Sequence, residues 1–242
     1  MQLLKPDMIT RLKRSILTLQ GLKKTPGSTT LDLGLGMMEQ AFPDHRFPLG
    51  AVHEFGCTGT GDKTATAGFI AGILAALMKR GGVAIWIASS RTIFPPALAG
   101  FGIEPDKIIF IDLAREKEML WVMEEALKCE GLAAVVGEIH QLDFTASRRL
   151  QLAVEQSRVT GFVIRQTPRL NTTACVSRWR ITAAASSLPN GMPGVGFPRW
   201  HVELLKIRNG RPGTWHLEWK NRSFHQIIEP VPTVYEADRK IV

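Results

Sequence analysis

The chain has 242 residues, a formal net charge of +8 and an apolar content of 45%, which is enough to bury a substantial globular core. No apolar run reaches the roughly 18 residues that a membrane-spanning helix needs. The N-terminus also lacks a secretory signal pattern, so we expect a cytoplasmic protein without membrane contact. The three cysteines and six histidines are scattered without metal-ligand spacing, which predicts neither a metal site nor a disulfide framework.

Residues 1–30 are predicted to form an N-terminal amphipathic helix followed by a linker. Apolar residues recur there at spacings of three and four, with basic residues between them. These apolar residues are Ile9, Leu12, Ile16 and Leu19. The helix is either an arm that joins two copies or a partner, or a segment that packs on its own core, and both interpretations stay open.

Residues 31–228 are predicted to form one core domain in which strands and helices alternate. Short apolar runs predict strands at 50–56, 83–88, 107–112, 132–139 and 161–167. Helices are predicted at 64–80, 94–102, 116–131 and 145–158, the last with Thr145 as its cap. Continuously apolar strands separated by helices predict an α/β fold, with a mostly parallel sheet covered by helices on both faces.

After residue 167 the sequence predicts no further helix. Segments 175–182, 199–207 and 213–219 alternate apolar and polar residues, which predicts antiparallel strands with one wetter face. Residues 229–242 are predicted to be a flexible tail.

The stretch EFGCTGTGDKT, residues 54–64, is close to a phosphate-binding loop. That loop has the spacing GxxxxGK[ST], in which backbone N–H groups and the lysine hold phosphates and the hydroxyl binds Mg²⁺. Gly56 and Gly61 have the required spacing, but Asp62 occupies the lysine position. Lys63 and Thr64 each come one place late. One helical residue rotates a side chain by roughly 100°, so we expect both groups to point away from a phosphate.

The other parts of a nucleotide-hydrolysing site are displaced or missing. Asp62 would repel a phosphate but would stabilise an empty helix N-terminus, so we interpret it as an internal replacement for phosphate. Glu138 stands one place after the position of the Mg²⁺-binding aspartate. Residues 83–103 contain no Asp or Glu that could activate water. The sequence therefore predicts neither ATP–Mg²⁺ as a cofactor nor an enzyme, and ATP hydrolysis would require the loop to rearrange.

Basic residues concentrate in the later part of the chain, where residues 145–222 carry thirteen Lys or Arg against three acids. This balance predicts attraction to DNA or to an acidic protein, with an unliganded basic surface as the alternative. The candidate binding residues are Arg165, Gln166, Arg178, Arg180, Arg199, Lys206, Arg208 and Arg211. Four tryptophans lie among them, namely Trp179, Trp200, Trp215 and Trp219. Tryptophans in such positions stack on bases or, more often, pack in the core.

Over residues 29–219 the order of these motifs resembles the RecA recombinase core. The segments FPLGAVHEF, LAAVVGE, LDFTASRRLQLAVEQS and PRWHVELLKIRNGRPGTWHLEW look more specifically like the ImuA family, RecA-like accessory proteins of bacterial SOS mutagenesis. The resemblance implies a RecA-like fold without required ATPase activity. It also implies a translesion synthesis complex with ImuB, an inactive relative of Y-family polymerases, and with an error-prone replicative-type polymerase. Contact with RecA and association with the nucleoid during DNA damage are implied as well.

The departures from RecA keep other functions open. The two DNA-binding loops of RecA would fall near 140–145 and 167–173, and both are shorter here. Our leading hypothesis is a non-catalytic scaffold for damage-tolerant DNA synthesis. The alternatives are a divergent DNA-dependent ATPase or RecA regulator, and a cell-division inhibitor like SulA, which has a related fold without a phosphate loop.

Overall fold

The computed structural model describes residues 33–79, 81–167, 169, 171–186, 188 and 194–227. The chain divides after Leu31, and all of these residues belong to its second unit, Asp32–Val242. The predicted N-terminal helix, with Ile9, Leu12, Ile16 and Leu19, lies outside the described residues, as does the predicted tail at 229–242. The proposed domain boundaries therefore stay predictions.

The described part of the chain contains nine strands, three α-helices and four short 3₁₀ helices. The strands are β1 (Val52–Cys57), β2 (Val83–Ala88), β3 (Ile108–Asp112), β4 (Leu132–Glu138), β5 (Thr160–Gln166), β6 (Ser177–Ala184), β7 (Arg199–Ile207), β8 (Gly213–Lys220) and β9 (Ser223–Ile227). The α-helices are α1 (Thr60–Met78), α2 (Glu116–Leu127) and α3 (Phe144–Ser157). The 3₁₀ helices are Gly36–Ala41, Pro43–His45, Pro95–Phe101 and Pro105–Lys107.

All nine strands form one sheet with the order β3-β2-β4-β5-β1-β6-β7-β8-β9. Neighbouring strands are parallel from β3 to β6, and β7, β8 and β9 are added antiparallel. Helix α1 packs on one face of the sheet, and α2 and α3 pack together on the other. This confirms the predicted α/β class, with a mostly parallel sheet, helices on both faces and antiparallel strands toward the C-terminus.

Strand β6 differs from the sequence-based expectation. Residues 175–182 were expected in an antiparallel strand, but β6 runs parallel to β1, with Trp179 opposite Phe55, and antiparallel only to β7. Its alternating sequence has another cause. Trp179 is buried on the face that α1 covers, whereas Arg178 and Arg180 on the other face are only half-buried. The alternation of apolar and polar residues in β6 therefore arises because a helix covers only one face of this strand, and it does not indicate the direction of the strand.

An aromatic cluster fills the space between α1 and the sheet. Phe69 of α1 lies 6.1 Å from the ring of Trp179 and 5.2 Å from that of Phe224. Trp200 and Trp219 are also buried. These three tryptophans are therefore core residues rather than stacking platforms for bases, while Trp215 is half-buried.

Helix α3 begins one residue earlier than predicted, and its cap is different. Asp143 is the N-cap, and its Oδ1 accepts the Ala146 N–H at 2.6 Å. The assignment of Thr145 as the cap was wrong, because Asp143 already satisfies this donor and places Thr145 inside the first turn.

In the part of the chain that the structure describes, no helix combines the length and the apolar character needed to cross a membrane.

Candidate functional site

Residues 58–59 connect β1 directly to α1, so the helix begins at Thr60 rather than at the predicted Thr64. Gly59 is the N-cap and has an extended backbone. In a phosphate-binding loop, several residues wrap around the phosphate before the helix starts. Here the first turn of α1 takes the place of that wrap. Gly61 lies inside this turn, in a place where an added Cβ would meet no neighbouring side chain within 4 Å.

Asp62 lies in this first turn and is only 2% exposed. Its Oδ2 accepts the backbone N–H of Thr58 at 3.1 Å, and it also accepts the Thr58 hydroxyl. A carboxylate in this position is stabilised by the positive end of the helix dipole. The chain's own carboxylate thus occupies an anion position beside the N-terminus of α1.

The ammonium of Lys63, which was expected to point away from a phosphate, reaches the end of β4. Its Nζ lies 2.5 Å from Oε2 of the buried Glu138, while the Trp86 indole N–H donates to Oε1 at 2.9 Å. The early start of α1 places Lys63 at the end of the first helical turn. Thr64 donates its hydroxyl to the Thr60 carbonyl oxygen at 3.0 Å, within the helix itself.

The end of β2 carries Ser89, Ser90 and Arg91 at the position where a hydrolase would need a carboxylate. Arg91 is directed to the neighbouring strand, where its Nη2 lies 2.8 Å from Oδ2 of Asp112. Both side chains of this pair are partly exposed. This corner therefore holds a surface ion pair.

Glu54 was missed by the sequence reasoning and is the centre of a buried network. Its Oε1 accepts from Arg165 Nη1 at 2.6 Å, and its Oε2 accepts from Arg178 Nε at 2.9 Å and from the Thr173 hydroxyl at 2.8 Å. Arg165 also donates to Asn171 Oδ1 at 2.8 Å. The network joins β1, β5 and β6 to Asn171 and Thr173.

This network removes Arg165 from the candidate DNA- or partner-binding surface, because its guanidinium is buried and directed to internal partners. Arg178 is largely used in the same way. The sequence did contain a signal for this network. Glu54 is an acidic residue inside a largely apolar strand, and a buried carboxylate requires cationic partners. The nearby Cys175 thiol is buried as well, and burial, reinforced by the charge of Glu54, raises its pKa to about 12.

Three of the basic candidates, Arg178 among them, line a shallow pocket of about 500 Å³ at the end of β1 and along the first half of β6. Arg178, Arg180 and Lys206 line this pocket together with Gly56 and Thr58. Lys206 is exposed, whereas Arg180 lies 3.5 Å from Glu203. The structure therefore brings three of the eight predicted binding residues together.

The other candidates lie apart from this pocket. Arg199, at the opposite end of β7, pairs with Glu218 at 2.7 Å. Arg208 donates to the Ala174 carbonyl oxygen at 3.3 Å, and Arg211 is exposed near the turn between β7 and β8. Gln166 is exposed at the end of β5.

A second, larger groove of about 960 Å³ lies beside the N-terminal half of α1. Lys63, Thr64, Glu138 and Gln166 line one end, and most of the other lining residues are apolar, with Thr92, Ser186 and Arg199 among the polar ones. Within the described ranges, no group of three or more His, Cys, Asp or Glu is arranged to hold a metal ion.

No family model matches the sequence. Over 208 residues the chain is 37% identical to Protein ImuA of Caulobacter vibrioides, in strains NA1000 / CB15N and ATCC 19089 / CB 15, and the match covers 81% of this chain and 85% of that protein. The chain belongs to the ImuA family.

The crystal structure of the RadB recombinase matches this ImuA-family chain with a TM-score of 0.52 at 17% identity, covering 84% of this chain and 99% of RadB. This confirms the RecA-like fold. SulA from Pseudomonas aeruginosa matches with a TM-score of 0.41 at 21% identity, over 47% of this chain and 96% of SulA, which is too weak to bear on function.

Proposed function

We propose that this ImuA-family protein is a non-catalytic, RecA-like accessory protein of SOS-induced, error-prone translesion DNA synthesis. It bridges an ImuB-type polymerase homologue and an error-prone polymerase, and it contacts RecA. The observation that carries the proposal is that Asp62 occupies the lysine position of the phosphate-binding motif and accepts the Thr58 N–H beside the N-terminus of α1. The family membership and the fold support the biological setting.

The RecA-like fold implies ATP and Mg²⁺, and the residues of this site do not fit them. A phosphate about 4 Å from the Asp62 carboxylate would cost about 4 kcal/mol per unit charge at a surface-like effective dielectric. Lys63 could reach a phosphate only by leaving the buried Glu138 without its cation. Thr64, the candidate Mg²⁺ ligand, donates its hydroxyl to its own helix. We therefore derive no hydrolytic step.

Two measurements test this proposal. Size-exclusion chromatography of the full chain with the ImuB-type homologue should show a complex at micromolar concentration, and failure to form one contradicts the bridging role. Calorimetry with Mg-ATP should show no binding heat. Binding that is lost on Lys63→Ala would instead support a divergent ATPase.

A further inference from the structure

The groove of about 960 Å³ lies beside the filled phosphate position and remains open. One wall is the 3₁₀ helix Pro95–Phe101, the floor is α1 at Gly68, and the other wall is the segment that leads into β7. At this floor Gly68 packs closely against Trp200, because a Cβ added at Gly68 would lie 3.3 Å from Trp200 Cζ2. The floor of the groove is therefore tightly packed against the aromatic side chains of Trp200 and Phe101.

Large apolar side chains stand exposed around this groove. Phe94 is 69% exposed, Val195 is 87% exposed and Phe197 is 38% exposed, and all three line it. Phe101 and Trp200 continue the apolar surface inward. A contiguous exposed apolar patch with aromatic residues in a concave setting is typical of a protein-interaction site.

The charges at the groove indicate what kind of ligand it accepts. Lys63 is paired with Glu138 at 2.5 Å, and Arg199 is paired with Glu218 at 2.7 Å. Both cations that line the groove are therefore paired, while the Lys220 ammonium, outside the lining, lies 5.2 Å from the centroid of the Phe197 ring. Asp62, buried next to Lys63, adds a negative charge at the end where phosphates would enter. The paired charges at the α1 end disfavour a nucleotide, and the mostly apolar lining of the rest of the groove favours an uncharged, apolar occupant.

We propose that this groove docks an uncharged apolar peptide segment of the ImuB-type partner, anchored by an aromatic or branched aliphatic side chain against Phe94 and Phe197. The inference rests on the proposed function and specifies the surface that the partner uses. The segment binds beside a nucleotide position that the chain itself has filled.

The test uses the full chain and the purified ImuB-type homologue in a binding titration. Phe94→Ser and Phe197→Ser remove exposed apolar surface without opening the core, and each should raise Kd by at least about ten-fold, as loss of an interface anchor does. Phe144→Ser is the matched control, because Phe144 is 56% exposed at the start of α3, outside the groove. It should change Kd by less than about two-fold, as a residue outside the interface does.

A second measurement uses the neutral fluorophore Nile red with the chain alone. Its emission should rise on binding, fall in Phe94→Ser, and stay unchanged when Mg-ATP is added. Displacement of Nile red by Mg-ATP would identify a nucleotide site and overturn the inference. A wild-type complex whose affinity is unchanged in both Phe variants overturns the groove assignment alone. Absence of any wild-type complex overturns the proposed function and this inference with it.

Discussion

The Lys63 ammonium and the Glu138 carboxylate lie 2.5 Å apart and join the first turns of α1 to the end of β4. Glu138 is buried, and its other oxygen accepts the Trp86 indole N–H. The two residues that most nearly match a nucleotide site thus form an internal ion pair. As long as both residues are present, neither charge is left without its counterion.

Removing one member of this pair should therefore destabilise the protein. We expect Lys63→Met to lower the free energy of unfolding by about 2–3 kcal/mol, somewhat less than a fully buried pair because Lys63 is partly exposed. Urea denaturation provides the measurement. The Lys63→Met/Glu138→Gln double variant should lose less than the sum of the single changes. A loss below about 0.5 kcal/mol for Lys63→Met, within the range of ordinary surface changes, would contradict a stabilising pair.

We expect a substitution of Glu54 to lower the free energy of unfolding more than a substitution of Lys63. Glu54→Gln leaves Arg165 and Arg178 without their shared carboxylate, and we expect a loss of about 3–5 kcal/mol in the free energy of unfolding. Glu203→Gln is the matched control, because Glu203 and Arg180 form a partly exposed pair at 3.5 Å. Loss of a surface pair should cost less than about 1 kcal/mol. Equal losses in the two variants would contradict the conclusion that the buried Glu54 network contributes more to stability than a surface ion pair.

Because His53 is buried, we expect the stability of the protein to depend on pH. It is fully buried, its Nε2 donates to the Pro48 carbonyl oxygen at 2.8 Å, and its Nδ1 accepts from the Ser177 hydroxyl at 2.6 Å. Burial lowers its pKa from 6.5 to about 4, although the hydrogen bond to Pro48 opposes this shift. The folded protein therefore keeps His53 neutral where the unfolded chain already binds a proton.

Stability should consequently be complete above about pH 6.5 and should fall as the pH decreases toward 4, by up to about 3 kcal/mol from His53. Urea denaturation at several pH values between 7.5 and 4.5 measures this decline. His53→Gln should make it shallower. A residual slope is expected because burial, and the nearby His201, also lower the pKa of His216. The same slope in the variant and the wild type would exclude His53 as the main cause.

Two glycines of α1 should respond oppositely to alanine. A Cβ at Gly72 would lie 2.4 Å from Phe224 Cζ and 2.9 Å from Trp219 Cζ3, whereas nothing lies within 4 Å of a Cβ at Gly61. Overpacking costs about 1–3 kcal/mol, which should exceed the gain of about 1 kcal/mol in helix propensity at Gly72. Gly61→Ala should be neutral or stabilising by up to about 1 kcal/mol. Thermal unfolding of both variants checks this contrast.

If the exposed basic residues Lys206 and Arg211 contact DNA backbone phosphates, we expect DNA binding that weakens as the salt concentration rises. Lys206→Glu and Arg211→Glu should weaken binding similarly for all DNA sequences, because both side chains are exposed. Arg148→Glu, an exposed change on α3, serves as the control. Fluorescence anisotropy at increasing salt concentrations gives the dependence. Binding that is absent, or insensitive to salt, would assign these residues to a protein partner.

The order of the elements was predictable because the central strands are continuous apolar runs. Segments such as 83–88 cannot remain exposed, and their alternation with helices restricts the sheet to a parallel arrangement. The direction of β6 could not be predicted in the same way. Its alternating residues depend on which face a helix covers, and that cover is known only once the sheet is assembled.

The details of the site were less predictable, since they depend on partners distant in sequence. Arg165 and Arg178 lie 111 and 124 residues after Glu54, and no local pattern connects them. The start of α1 was misplaced because the motif comparison treated residues 58–63 as a loop. The Lys63 N–H instead donates to the Gly59 carbonyl oxygen at 3.1 Å, so residues 60–63 already form the first turn of the helix.

The two-residue connection between β1 and α1 has a consequence for how long complexes of this protein last. ATPases use the γ-phosphate as a switch that holds and then releases mobile segments. If the protein binds no ATP, as we propose, this corner carries no such timer. Under the proposed function, the lifetime of each assembly then follows from dissociation rates and from how much of each component the cell makes and degrades.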